Sequence, residues 1–352
     1  MKPIIAIIFG GVSAEHEVSL LSAIQVIEHI DHNQYDILQV GIDKDGTMYA
    51  GPQVLSVLKH NKDRAMLTKC TISTTHNFPG VLIMPENKPM VFQPVNLFFP
   101  LTHGAKGEDG TLQGVLEYSQ VPYVGSKVLG SALGMDKIAM KKLFATYRLP
   151  QVPFLPFTKH EIVSDIISVR EDIVANLHFP VFIKPANLGS SIGIRKATTT
   201  GELEDALEHA IRLSDRIIVE QGLIDMRELE CAVLGDHTLT VSTVGEVVSG
   251  NELADYQLNH ENNRLQVIIP ALIDKVTQQE VQTLAKQAFQ LLNLRGMATI
   301  DFFMTHNQLM INKVSTIPEF TAAGMFARLF AAADIDMKEL IQKLINISLE
   351  TS

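Results

Sequence analysis

Lys184 stands at the end of the apolar run Val181, Phe182 and Ile183, directly before Pro185, and the chain then passes through Gly189, Ser190, Ser191 and Gly193. Glycines in such a turn let successive backbone N–H groups face one anion, the two hydroxyls add donors and the lysine adds a charge, so the pattern suits a phosphate. An ordinary loop after a strand has the same composition, and its surroundings must decide. Gly10-Gly11 follows the apolar stretch Ile4 to Phe9 and precedes Ser13, Glu15, Glu17 and Ser19. Strand, glycine turn and helix in that order present a helix N-terminus to an anion or a polar ligand. Glu15 is there either as a first-turn acid suited to the helix dipole or as the carboxylate that holds an ammonium group. His103-Gly104 and Gly107-Glu108-Asp109-Gly110 follow the apolar stretch Val95 to Pro100, and loops beyond the carboxyl ends of strands in an open α/β sheet face one crevice. Asp301 lies between Ile300 and Phe302, where a carboxylate needs a partner or a metal. Lys137, in an apolar helical stretch, reads on its own as a lysine whose ammonium reaches out to water.

These residues need a scaffold that alternates strands and helices. Strands are expected at Ile4 to Phe9, Tyr35 to Ile42 and Val95 to Pro100, with a helix running to Ile30 and another from Thr111 to Ser119 capped by Thr111 or Asp109. Small strands between residues 43 and 95 read as an insertion. Helices between Val128 and Tyr147 open a second region, followed by a strand at Phe154 to Phe157, a helix near residues 166 to 177, the strand and turn around Lys184, a helix around Leu203 to Arg212 and a strand at Ile217 to Glu220. Glu220-Gln221-Gly222 reads as a hinge. Strands then dominate at Leu229 to Leu234, Thr238 to Val247, Leu265 to Pro270, Met297 to Met304 and Leu309 to Val314, with one amphipathic helix from Gln278 to Leu292. The first glycine turn lacks GxGxxG, so a dinucleotide fingerprint is not supported.

At 352 residues the chain exceeds what one hydrophobic core usually organises, and two or three domains are expected. A hydrophobic share of 46% with 19% charged residues describes a globular protein. The net charge of −10 and the absence of Lys/Arg clusters exclude a nucleic-acid surface, while a few local cations remain enough for a nucleotide. Cys70 and Cys231 show no ligand spacing and read as free thiols of a reducing compartment. Pro3 to Phe9 is too short for a secretory h-region, and no apolar run reaches the roughly 20 residues of a membrane helix, so a cytoplasmic protein with no membrane partner is expected.

Four motifs occur in order: Gly10-Gly11-x-Ser13-x-Glu15-His16-Glu17-Val18-Ser19; His103-Gly104-x-x-Gly107-Glu108-Asp109-Gly110-Thr111-x-Gln113-Gly114; Met135-Asp136-Lys137; and Lys184-Pro185 with Gly189-Ser190-Ser191-x-Gly193. Together they resemble the D-alanine:D-alanine ligase family of ATP-grasp enzymes over essentially the whole chain. The resemblance implies a mixed α/β and α+β architecture, an ATP-grasp fold with an N-terminal open, Rossmann-like α/β domain. It divides the chain into a substrate domain at 1–125, a central lobe at 126–225 and a C-terminal lobe at 226–352, with ATP between the last two. It implies that Lys137 and Lys184 contact ATP phosphates, that Ser191 lies in the loop over them, and that Glu220, Gln221, Leu223 and Glu228 surround adenine and ribose. Glu15, helped by Ser190, would receive the amine of the first D-alanine, with His103 beside it. Such enzymes activate one D-alanine as an acyl phosphate that the amine of a second attacks, and a homodimer through the N-terminal domain is expected.

The C-terminal third departs from the family pattern. Where the family places an Arg two residues before a metal-binding Asp and a later Glu-x-Asn-Thr-x-Pro-Gly, this chain has Thr299-Ile300-Asp301 and Lys313-Val314-Ser315-Thr316-Ile317-Pro318-Glu319. Only Asp301 remains as a magnesium ligand. The lysine and last tyrosine of a Tyr-Asp-Tyr-x-x-Lys-Tyr loop are Asn259 and His260, and the serine at the second substrate's carboxylate is Gly324. Two unit charges about 4 Å apart interact by roughly 4 kcal/mol at an effective dielectric of 20, so Lys313 beside a divalent ion would be opposed by about twice that. The expected function is therefore that of a ligase homologue, using ATP and, with difficulty, magnesium, with impaired ligation. The alternative is an inactive paralog that binds nucleotide or D-amino acid and acts through regulation or a partner.

Overall fold

A strand buried on both faces belongs inside a parallel sheet covered by helices, and the N-terminal run Ile4–Gly10 (β1) is buried along nearly its whole length. In the computed structural model, which describes residues 2–75, 77–189, 192–248, 266–306 and 308–350, β1 pairs in parallel with Asp36–Ile42 (β2) and with Leu97–Pro100 (β7). Strand alternation sends Ile5, Ile7 and Phe9 to the core beneath His16–His29 (α1). Ala6 and Ile8 point to the opposite core with Leu112 and Leu116 of Thr111–Ser119 (α3). The small strands expected between residues 43 and 95 are Met48–Ala50 (β3), Thr68–Ser73 (β4), Gly80–Met84 (β5) and Val91–Pro94 (β6). They extend this same sheet antiparallel from β2, in the order β6-β5-β4-β3-β2-β1-β7. Val54–Lys59 (α2) lies against β2.

The helix α3 corrects the expected cap. Its N-cap is Gly110, at φ 95°, and the Gln113 side chain accepts from the Gly110 N–H at 3.1 Å. Asp109 instead accepts from the Thr111 N–H at 2.9 Å, so neither Thr111 nor Asp109 is the cap itself.

A helical pair follows, Val128–Met135 (α4) and Lys137–Thr146 (α5), parted at Asp136, whose carboxylate accepts from the Ala139 N–H at 2.9 Å. The next sheet is antiparallel, with Phe154–Thr158 (β8), Val181–Pro185 (β9), Arg195–Ala197 (β10) and Arg216–Gln221 (β11) in the order β10-β9-β11-β8. Val181, Ile183, Ile217 and Val219 share a core with residues of Ile166–Asn176 (α7) and Thr200–Ala210 (α8), which follow the short helix Lys159–Ser164 (α6). The period of two therefore turns Lys184 and Glu220 to the other face.

The last sheet has the order β14-β13-β12-β15-β16, built from Arg227–Gly235 (β12), Leu239–Val248 (β13), Gln266–Ile268 (β14), Gly296–Met304 (β15) and Leu309–Ser315 (β16). Lys275–Leu291 (α9) covers one face, with Val281, Leu284 and Ala288 against Cys231, Val233, Ile300 and Phe302. Two further helices, Met325–Ala331 (α10) and Met337–Glu350 (α11), share the core of β1 and β7 through Phe326, Phe330, Leu340 and Leu344. Cys70 and Cys231 are free and buried, and burial pushes both thiols up to about 12. Among the described residues no helix is long and apolar enough to cross a membrane.

Candidate active site

The carboxyl ends of the neighbouring strands β1 and β7 bring their loops together. Ser19 Oγ accepts from the Gly10 N–H and donates to the Leu101 carbonyl, both at 2.7 Å. Ser13 Oγ donates to the His103 carbonyl at 2.7 Å and accepts from the Glu15 N–H at 3.2 Å. These serines fix Glu15, the N-cap of α1, beside the second loop. Gly104 is at φ 70°, and any side chain there would collide with Glu15 Oε2; a Cβ on Gly189 would lie 2.8 Å from the same oxygen. Both glycines are needed for close approach, and through them Glu15 meets the loop after β9. His103 is buried, with Nε2 3.5 Å from Ser22 Oγ, which also accepts from the Phe320 N–H at 3.1 Å. Burial pushes its imidazole down to about 4, outweighing a backbone hydrogen bond at Ile317, so it is neutral near pH 7. Glu108 accepts from the Gly104 N–H at 3.0 Å, and its depth in the cleft, with the charge of Glu15, pushes it up to about 8. The charge of Glu15 thus disfavours a second carboxylate charge beside it in this crevice.

A lysine cluster lies next to it. Lys137 begins α5; its N–H donates to the Ala186 carbonyl at 2.9 Å and its Nζ to the Leu188 carbonyl at 2.7 Å. It is half-buried against the loop after β9, which corrects the reading of a surface lysine reaching to water. Burial and then the Lys184 charge push its ammonium down to about 8. Lys184 Nζ lies 2.7 Å from Glu220 Oε2, and Lys141 Nζ lies 3.5 Å from Glu220 Oε1. Burial would raise the Glu220 carboxyl, but Lys184 and Lys141 outweigh it and hold it at about 2. The Gln221 side chain is turned to accept from the His178 N–H at 3.2 Å, while Leu223 and Glu228 are half-buried at the turn into β12 and on its first residues. Ser190, Ser191, Asn259 and His260 lie outside the described residues.

The third part is a row across the last sheet. Glu230 on β12 faces Asp301 on β15, and Asp301 faces Lys313 on β16. Lys313 Nζ is 3.2 Å from Asp301 Oδ2. Thr299 and Ser315 face each other on the next rung of that surface. Burial and the Asp301 charge raise the Glu230 carboxyl, against Lys313 and a hydrogen bond from Thr299. Glu319 lies close enough for its charge to raise Glu230 further. A Cβ on Gly324 would sit 2.5 Å from the Glu319 carbonyl, so a serine does not fit there in this conformation.

Residues 4–126 match the family model described as D-ala D-ala ligase N-terminus, and residues 143–346 match the one described as D-ala D-ala ligase C-terminus. The chain belongs to the D-alanine:D-alanine ligase family. It is 37% identical over 365 residues to the D-alanine--D-alanine ligase of Acetivibrio thermocellus, covering 99% of this chain and 96% of that one. The solved VanG D-Ala:D-Ser ligase from Enterococcus faecalis superimposes with a TM-score of 0.88 at 32% identity, over 99% of this chain and 100% of that chain. The D-alanine-D-alanine ligase from Coxiella burnetii gives 0.86 at 28% identity, over 99% and 94%. The mixed α/β architecture is the ATP-grasp fold of these ligases.

For a ligase of this family the structure brings Glu15, His103 and Gly189 into one corner and Lys137, Lys184 and Glu220 into the next. Magnesium, which the family implies, takes several oxygen ligands. Here Asp301 is paired with an ammonium, and among the described residues no group of three or more His, Cys, Asp and Glu side chains is placed to hold a metal ion. The described residues do not fit the ion. Sequence reasoning missed Lys141 and Glu108 as charged members of the site. The spacing of Lys137 and Lys141 was the available signal for the first, because residues four apart share a helix face.

Proposed function

We propose that this chain is by descent an ATP-dependent carboxylate-amine ligase for D-alanine or a related D-amino acid, and that its rate of dipeptide formation is reduced. The observation that carries the reading is Lys313 Nζ at 3.2 Å from Asp301 Oδ2, an ammonium where a metal-bound phosphate would need a second acidic ligand. In this reading 1–125 is the substrate domain, and ATP lies between the lobes 126–225 and 226–352. Lys137 and Lys184 draw the phosphates, with Ser191 over them; Glu220, Gln221, Leu223 and Glu228 surround adenine and ribose. Glu15 and Ser190 hold the first ammonium, and neutral His103 stays beside that substrate. The substrate carboxylate would attack the terminal phosphorus, releasing ADP and leaving an acyl phosphate; the second amine would then attack the acyl carbon and release phosphate.

Several substitutions weaken that sequence at one place. Phosphoryl transfer depends mainly on positioning and on cations facing the transferred group. Thr299 and Asn259 bring no charge, and Lys313 brings one positive charge where a divalent ion brings two. Glu319 adds a negative charge near the acyl centre, and Gly324 offers no hydroxyl to the second carboxylate. We also infer a cytoplasmic homodimer that serves peptidoglycan precursor synthesis, a reading supported by the family alone.

The test is to incubate the protein with ATP, magnesium and D-alanine and to follow phosphate and dipeptide together against a control without amino acid. Slow, matched release of both products is expected. Matched release at the rate of an ordinary enzyme, on the order of 10 per second, would contradict the reduced site. The Lys313–Asp301 pair also favours a second reading, a non-ligating paralog acting by regulation or through a partner. Folded protein that binds ATP and forms neither product would select it.

A further inference from the structure

Glu220 is 2% exposed and has a lysine on each oxygen, but the two lysines differ in freedom. Lys184 is on β9, its side chain 13% exposed, on the face that turns toward Lys137. Lys141 is 1% exposed, one helical turn beyond Lys137 on α5, with its Nζ 5.9 Å from the centre of the Phe154 ring. Among the described residues its Nζ makes no hydrogen bond, and the 3.5 Å approach to Glu220 Oε1 is the interaction that compensates its charge. An ammonium buried this deeply is costly unless an opposite charge is adjacent. The proposed ligase chemistry makes no use of it.

We infer that Lys141 is a positioning residue, the resident counter-ion of Glu220, which frees Lys184 to leave that carboxylate for an entering polyphosphate. The inference rests on reading this cleft as the nucleotide site. In the structure both ammonium groups share Glu220. When Lys184 turns to a phosphate, Lys141 alone keeps the buried carboxylate compensated. Without Lys141 that movement would strand a negative charge, so Lys184 would stay on Glu220 and the phosphate would lose a cation.

Calorimetric titration of the full chain with ATP, tripolyphosphate and adenosine tests this. Lys141→Met is expected to weaken ATP and tripolyphosphate by about tenfold or more and to leave adenosine within about twofold. Adding Glu220→Gln to Lys141→Met removes the stranded charge and is expected to restore tripolyphosphate to within about threefold of the unsubstituted protein. If Lys141→Met does not fold, the double variant serves alone, because it strands neither charge: with the carboxylate neutral, Lys184 is released and tripolyphosphate should bind within about threefold of the unsubstituted protein. Equal weakening of all three ligands by Lys141→Met, no weakening, or tripolyphosphate binding by the double variant more than about threefold weaker than by the unsubstituted protein each overturns the inference and leaves the nucleotide reading in place. An unsubstituted protein that binds neither ATP nor tripolyphosphate overturns both.

Discussion

Lys313 and Asp301 face each other across β15 and β16, and their pairing determines which charges this end of the last sheet presents. Replacing Lys313→Glu and Ser315→Asn together would put oxygen ligands around Asp301 and remove the opposing ammonium. Manganese titration followed by electron paramagnetic resonance should then show a divalent site absent from the starting protein; no new site would count against a position lost through these two residues. Glu108 gives a prediction in pH. Its folded pKa, about 8, lies above the ordinary 4.5, so the folded state holds the proton more tightly than the unfolded chain. Its contribution to stability is complete below pH 4.5 and disappears as pH rises through 8. Glu108→Gln keeps an acceptor for the Gly104 N–H, and urea unfolding should show a flatter dependence across that window. That Asp301 needed a partner was legible from its apolar neighbours. A bulge between Asp301 and Phe302 sets the register that puts Lys313 opposite, and a local irregularity of pairing leaves no period in the sequence.

At the level of single elements, α5 holds both Lys137 and Lys141, and Asp136 fixes where it starts. Asp136 also pairs with Arg216 on β11, tying the helix to the sheet that bears Glu220. Asp136→Ala should cost about 1 kcal/mol of stability through the lost cap and should also weaken ATP, since Lys137 is the first residue that the cap positions. Urea unfolding and an ATP titration on the same variant check both; unchanged ATP affinity would show that the cap is structural only. The strands that carry the site were readable as apolar runs ending in Gly, Lys or His, because a buried strand has few other compositions. Helical spacing places Lys141 on one face with Lys137 but does not show that this face meets Glu220, since spacing does not show what a face packs against. The Gly110 cap was missed because its conformation, at positive φ, replaces the side-chain hydrogen bond that marks Thr or Asp caps.

Over the whole molecule, the most consequential packing is that of α10 and α11, which come after the last sheet in sequence and share one core with β1 and β7 of the first sheet and with Ala232, Leu234 and Met297 of the last. Leu344 is fully buried there, and α11 lies against α1, whose N-cap is Glu15, and β7, whose following loop holds His103. Leu344→Ala should cost about 2–5 kcal/mol, and D-alanine affinity should fall with it while ATP affinity changes less. A loss confined to ATP would contradict this division of roles. The sequence pointed to three regions of secondary structure but not to this return, because an amphipathic helix does not name the core it joins.

The measurement that bears most directly on the account is the dissociation constant of ATP for the unsubstituted protein in excess chelator and in excess magnesium. With Lys313 paired to Asp301, and with Lys137 and Lys184 in the proposed role of drawing the phosphates, the two values should agree within about twofold. Tightening by about tenfold or more with magnesium would mean that the ion has a site here after all, and that the pairing of Lys313 with Asp301 gives way to it.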